Sequence, residues 1–142
     1  MRSGFPPSRV FPLPRVFSVL PLLPLMVACS GYEAPTGTSN TPPPPTGNPV
    51  QAATIQVQDN LYSPSTVLIA AGGTVTWNWI GDGHSVTSAG SPSFVGVTLK
   101  SAPFTLGPVV FALAGTYSFY CTAHGVPGTY GGGTMTGAVF VQ

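Results

Sequence analysis

Tyr117-Ser118-Phe119-Tyr120-Cys121-Thr122-Ala123-His124 reads as a strand that ends by handing a thiol and an imidazole, three positions apart, to a turn. Aromatic residues favour the extended chain, and Ala114-Gly115 just upstream supplies a turn in front of Thr116. Beyond His124 come ten residues, five of them glycine (Gly125, Gly128, Gly131, Gly132 and Gly133), before Met135 opens a last strand running to Val141. A thiol and an imidazole at this separation, where strand gives way to turn, have the spacing of metal ligands.

The chain holds one other histidine, His84, expected on a loop after the strand Thr74-Val75-Thr76-Trp77-Asn78-Trp79 and the break Gly81-Asp82-Gly83. Two imidazoles, a thiolate and a weak thioether are the donor set of a blue-copper centre. His84, Cys121, His124 and Met135 are therefore the candidate metal ligands, with a single copper ion as cofactor.

The surrounding sequence is punctuated as short strands. Thr54-Ile55-Gln56-Val57-Gln58 alternates apolar with polar, and residues 59–65 break it before Thr66-Val67-Leu68-Ile69 resumes. Ala71-Gly72-Gly73 reads as a hairpin turn into the strand on which Val75, Trp77 and Trp79 share one face. Between residues 89 and 108 the pattern supports only short edge strands, among them Phe104-Thr105-Leu106, and Val109 to Leu113 forms another strand. The expected architecture is all-β, a Greek-key antiparallel β-sandwich of seven or eight strands.

Trp77, His84-Ser85-Val86-Thr87, the run from Ala114 to His124, and Met135-Thr136-Gly137-Ala138-Val139 together resemble the plastocyanin and amicyanin branch of the cupredoxins, over residues 53–142. The resemblance implies the same four ligands and electron transfer as the activity. It also implies that Ser85 bonds to the backbone around Thr122 and ties two ligand loops together, against the alternative of a plain surface serine. The stretch from 125 to 134 is longer than in that family, so three outcomes stand open at the fourth position: Met135 as axial ligand, a backbone carbonyl from the loop, or three ligands alone.

Charge narrows the partners. Arg2, Arg9 and Arg15 precede an apolar run, and past Cys29 only Glu33, Asp59, Asp82 and Lys100 are charged, a net of −2 from one lysine against three acids. Nucleic acid is excluded as a partner, since phosphate binding needs clustered Lys or Arg. A nearly uncharged surface points instead to apolar docking of redox protein partners around His124, with Val126, Pro127 and Tyr130 as contacts, by a monomer.

Residues 1–28 join a basic start to the 13-residue run 16–28, which is short for a membrane span and fits an export signal. Met26-Val27-Ala28-Cys29 resembles a bacterial lipobox, which makes Cys29 the lipidated residue; the alternative is an ordinary signal with a chance cysteine. Residues 29–50, with the tetraproline Pro42 to Pro45, form a tether to a domain at 51–142. The expected location is a membrane-anchored lipoprotein facing the periplasm or the cell exterior. A Cys29–Cys121 disulfide would staple that tether to the core and give up the anchor, while a purely structural Cys121 thiol would leave His124 unexplained.

Catalysis on a substrate is not expected. No histidine remains for a second metal centre, and three acids supply neither a catalytic triad nor a paired-carboxylate site beside it. Two other functions use the same sequence: copper storage or delivery with the same ligands, and a metal-free cupredoxin-like scaffold. The anchor is tested by mass spectrometry of the membrane-extracted protein, which should find acyl groups on Cys29 that are lost in Cys29→Ala; unacylated wild-type protein would rule it out.

Overall fold

The structure, a computed structural model, describes residues 41–130 and 133–142. The expected leader 1–28, Cys29, the tether up to residue 40, and Gly131 and Gly132 lie outside the described residues. The elements are eight strands: β1 Val50–Gln58, β2 Leu61–Ser63, β3 Thr66–Trp79, β4 His84–Ala89, β5 Val97–Lys100, β6 Phe104–Phe111, β7 Gly115–Tyr120 and β8 Thr136–Val141.

The 14-residue β3 organises the rest. Its first part pairs in parallel with β8, from Thr66↔Ala138 to Ile69↔Val141. Its second part pairs in parallel with β1, from Ala52↔Thr74 to Val57↔Trp79, and antiparallel with β6 on the other side. Between the two parts Gly72 takes a φ of 81°. A Cβ on Gly73 would lie 2.7 Å from the Ala70 carbonyl oxygen and 2.9 Å from that of Gln51. Ala71-Gly72-Gly73 is thus a bend in one continuous strand, not the hairpin turn read from the sequence. A hairpin would have paired the two halves with each other, whereas the bend lets each half enter its own layer with its apolar side toward the core.

The strand order is β2-β1-β3-β8-β7-β4-β5, with β6 on the free side of β3. The all-β sandwich holds, and its sheet is mixed: β1–β3 and β3–β8 are parallel and the other pairings antiparallel. The parallel neighbours are not adjacent along the chain: β2, antiparallel to β1, intervenes between β1 and β3, and β8 is the last strand of all. Residues 59–65 do not simply interrupt β1. Gln58 pairs with Leu61, so Asp59-Asn60 is a tight turn, with Asn60 at a φ of 61°, a conformation asparagine tolerates better than most residues. Phe104–Leu106 and Val109–Phe111, read as separate strands, are one edge strand whose register shifts where it passes Gly107-Pro108. Pro108 is tolerated there because an edge strand needs bonds on one side only.

The alternation seen in sequence is real on β3, where Val75, Trp77 and Trp79 are buried. Trp77 lies at the middle of the core, stacked on Phe94 with ring centroids 5.4 Å apart and edge-on to Phe119 at 5.5 Å. Both faces of β8 are covered, since Ala138 and Phe140 form a second apolar cluster with Leu68, against which Tyr130 packs. Gly73→Ala should lower the unfolding free energy of the metal-free domain by about 1–3 kcal/mol, because the new methyl meets two backbone oxygens rather than a yielding side chain. Denaturant unfolding checks it, and an unchanged midpoint would show that the bend relaxes freely.

Candidate metal centre

Strands β4 and β7 pair antiparallel, from Thr87↔Tyr120 to Ala89↔Ser118, and their adjoining ends bring the donors together. His84 is the first residue of β4 and only 1% exposed, so its expected place on a loop is corrected: the break ends at Gly83, and pairing with Lys100 on β5 draws His84 into the sheet. Cys121 follows the last residue of β7. Its carbonyl accepts from the amides of His124 at 3.3 Å and Gly125 at 2.8 Å, which closes the turn that carries the second imidazole.

Met135 clasps this turn through its backbone. Cys121 N–H donates to the Met135 carbonyl at 3.0 Å, and Met135 N–H donates to the His124 carbonyl at 3.1 Å. A Cβ on residue 125 would sit 2.4 Å from the Met135 carbonyl oxygen, so glycine is required where the two segments touch. The Met135 side chain is fully buried in the core cluster that includes Cys121. Within the long stretch between them, Tyr130 packs on Leu68, Ala138 and Phe140.

The donor atoms form a triangle. His84 Nδ1 and His124 Nδ1 are 3.2 Å apart, and Cys121 Sγ lies 4.0 Å from the first and 3.5 Å from the second. A point equidistant from all three is about 2.1 Å from each, the circumscribed radius of that triangle, and nitrogen and thiolate bonds to a first-row metal ion run ~2.0–2.3 Å. One ion fits among them without moving a strand. Cys121 is buried and unpaired, with no disulfide. The Cys121 sulfur accepts the Ser85 N–H at 3.5 Å. His124 is on the exposed side of the cluster, so its ring is the donor that reaches the surface.

Two strands, β3 and β2, and the turn after β7 grip the segment that carries the first imidazole. Trp79 Nε1–H donates to the His84 carbonyl at 2.9 Å, and Tyr62 Oη–H donates to the Ser85 carbonyl. Burial, and then the neighbouring Cys121, push the Tyr62 phenol far above its usual range, so it stays neutral and able to donate. Ser85 Oγ accepts from Thr122 N–H at 2.9 Å and lies 3.2 Å from the Thr122 hydroxyl and 3.2 Å from that of Thr87. The two donor-bearing segments are joined by this one side chain. Sequence reasoning missed Tyr62 and Trp79 as supports, although each has a polar tip that must find a partner when the ring is buried. It also missed Asp59, whose Oδ1 lies 3.5 Å from His84 Nε2.

Two imidazoles and a thiolate around one ion-sized gap, with a buried methionine clasped to the same turn, define the centre of a type 1 copper protein on a cupredoxin sandwich. No family model matches the sequence. The plastocyanin of Prochlorothrix hollandica is 34% identical over 97 residues, which cover 58% of this chain and 73% of that one. The chain belongs to the plastocyanin family of cupredoxins. A purple cupredoxin from Nitrosopumilus maritimus shares the fold, with a TM-score of 0.50 at 21% identity over 63% of this chain and 99% of that one. A reduced amicyanin variant is 25% identical over 73% of this chain and 94% of its own, with a TM-score of 0.46. Copper is the cofactor that the family binds and that these donors fit.

Ser85→Ala should lower the stability of the metal-free domain by about 1 kcal/mol, the net worth of the Thr122 N–H bond it removes. Chemical denaturation measures this, and a wild-type midpoint would mean that water replaces the hydroxyl without loss.

Proposed function

We propose that this protein carries single electrons between redox partners at a bacterial cell envelope, with His84, Cys121, His124 and Met135 as the residues that would hold the copper. The observation that carries the reading is the donor triangle, held at ligand spacing by backbone and side-chain bonds that need no metal. When bound, copper supplies the Cu(II)/Cu(I) couple.

The chain's own residues do the rest. Cys121 offers a buried thiolate, which favours the reduced state, while the two imidazoles suit both states. The grips of Trp79, Tyr62 and Ser85 on the segment around His84 keep the donors from rearranging as charge changes, which lowers the cost of each transfer. His124, the exposed ligand, is the point of electron entry and exit. The surface around it is apolar, with Val126 57% exposed, and suits a partner that docks by apolar contact rather than by charge. Anchoring through Cys29 and the proline tether would keep the domain near its membrane. Both histidines of the chain serve this one centre, which supports a carrier rather than an enzyme with a second metal site.

The purified domain loaded with Cu(II) should show an intense thiolate-to-copper band, cycle reversibly with one-electron reagents and retain its metal; Cys121→Ser should lose the band. Release of copper on reduction would favour a delivery protein, and absence of the band in wild type would favour a metal-free scaffold. In the same assay Met135→Gln should lower the reduction potential and change the electron paramagnetic resonance spectrum. If Met135→Gln and Met135→Leu both match wild type, Met135 is a core residue only.

A further inference from the structure

The turn joining β1 to β2 sends one side chain toward the metal centre. Asp59 Oδ1 lies 3.5 Å from His84 Nε2, the ring nitrogen opposite the one that faces Cys121 and His124. The approach is built into the backbone. Asn60, in the left-handed region, sets the turn, and the amides of Ile80 and Gly81 both donate to the Val57 carbonyl, at 2.9 and 3.1 Å, which pins the next loop beneath it. Gly81 has no side chain to block the path: a Cβ there would lie 2.5 Å from Asp59 Oδ1 and 2.9 Å from the Asp59 amide nitrogen.

The other two charged side chains among the described residues are engaged elsewhere. Asp82 Oδ1 accepts from Ala102 N–H at 3.1 Å, and the Lys100 ammonium sits over the Phe104 ring, 5.5 Å from its centroid. Asp59 is therefore the one carboxylate set against a ligand ring, in a domain with almost no other charge to offset it.

We infer that Asp59 is a positioning residue for the copper centre: its carboxylate holds the proton of His84 on Nε2, leaves the Nδ1 lone pair facing the donor cluster, and places a negative charge beside the site that favours Cu(II) over Cu(I). The copper half of this statement rests on the carrier function proposed above; the tautomer half does not. A carboxylate behind a ligating imidazole fixes ring orientation and raises the basicity of the metal-facing nitrogen. The Asp59 side chain is 83% exposed, so solvent screens its charge and the electrostatic effect is small. Its hold on the proton is a single directional contact at 3.5 Å.

Two readouts test the two halves. In the metal-free protein, nitrogen chemical shifts of the His84 ring should report the Nε2–H tautomer in wild type and a mixture in Asp59→Ala. In the copper-loaded protein, Asp59→Ala should weaken Cu(II) binding about tenfold and Cu(I) binding less, so its reduction potential rises; Asp59→Asn, which keeps an acceptor without the charge, should raise the potential while holding the wild-type tautomer. An unchanged tautomer in Asp59→Ala overturns the inference whatever copper does. A tautomer shift with no copper uptake even by wild type would leave the positioning role standing and remove the carrier function instead.

Discussion

The hydrogen bond that Thr122 N–H donates to Ser85 Oγ, at 2.9 Å, is the shortest of those by which Ser85 joins the two halves of the metal centre. His84 and Cys121 are 37 residues apart and reach the same gap from different strands. Antiparallel pairing of β4 with β7 stops at Thr87↔Tyr120, so no ladder links these two strands over the last stretch toward the donors. Ser85 takes over where the ladder ends, with its hydroxyl on the Thr122 amide and its own amide on the Cys121 sulfur. Both bonds come from one residue. The donor spacing is consequently a property of the polypeptide before any ion arrives, and an ion that enters does not have to organise the strands to be bound.

How much of this could be read from the chain depended on distance along it. Cys121 and His124 stand three positions apart, and the signal is local. His84 was legible because the chain has only one other imidazole, although its burial at the head of β4 was not: glycine on both sides of Asp82 looks like an open loop. The Gly72-Gly73 pair was legible as a change of direction and ambiguous as to which, because a hairpin turn and a strand bend ask for the same permissive backbone. Only the register tells them apart, and register comes from Ala138 to Val141 and Ala52 to Val57, residues far away in sequence. Tyr62 and Asp59 went unassigned for the same reason, each meeting a residue more than twenty positions away that local pattern cannot connect to it. Trp79 is only five residues before His84, and what hid its role is the path of the turn between them.

The aromatic core has a similar division of labour. Trp77 fills the middle of the sandwich, yet its Nε1 is the one buried side-chain polar atom without a partner among the described residues, a cost of about 1–3 kcal/mol. Trp79, two residues on, spends the same indole donor on the carbonyl of His84. Neighbouring tryptophans on one face of β3 thus contribute differently, the first by volume and the second by direction.

The clasp of Met135 on the Cys121–His124 turn has a consequence for the segment that precedes it. Because the amide and carbonyl of Met135 are both tied to the turn, the chain leaves it at Gly125 and returns to nearly the same place. What lies between is a closed excursion whose two ends are fixed independently of its contents. Apart from Tyr130, which packs on Leu68, Ala138 and Phe140, its length and composition can therefore drift without transmitting strain to the donors, which makes it a natural insertion point: a place where recognition of a new partner could be written beside the exposed imidazole while the redox centre is left as it was.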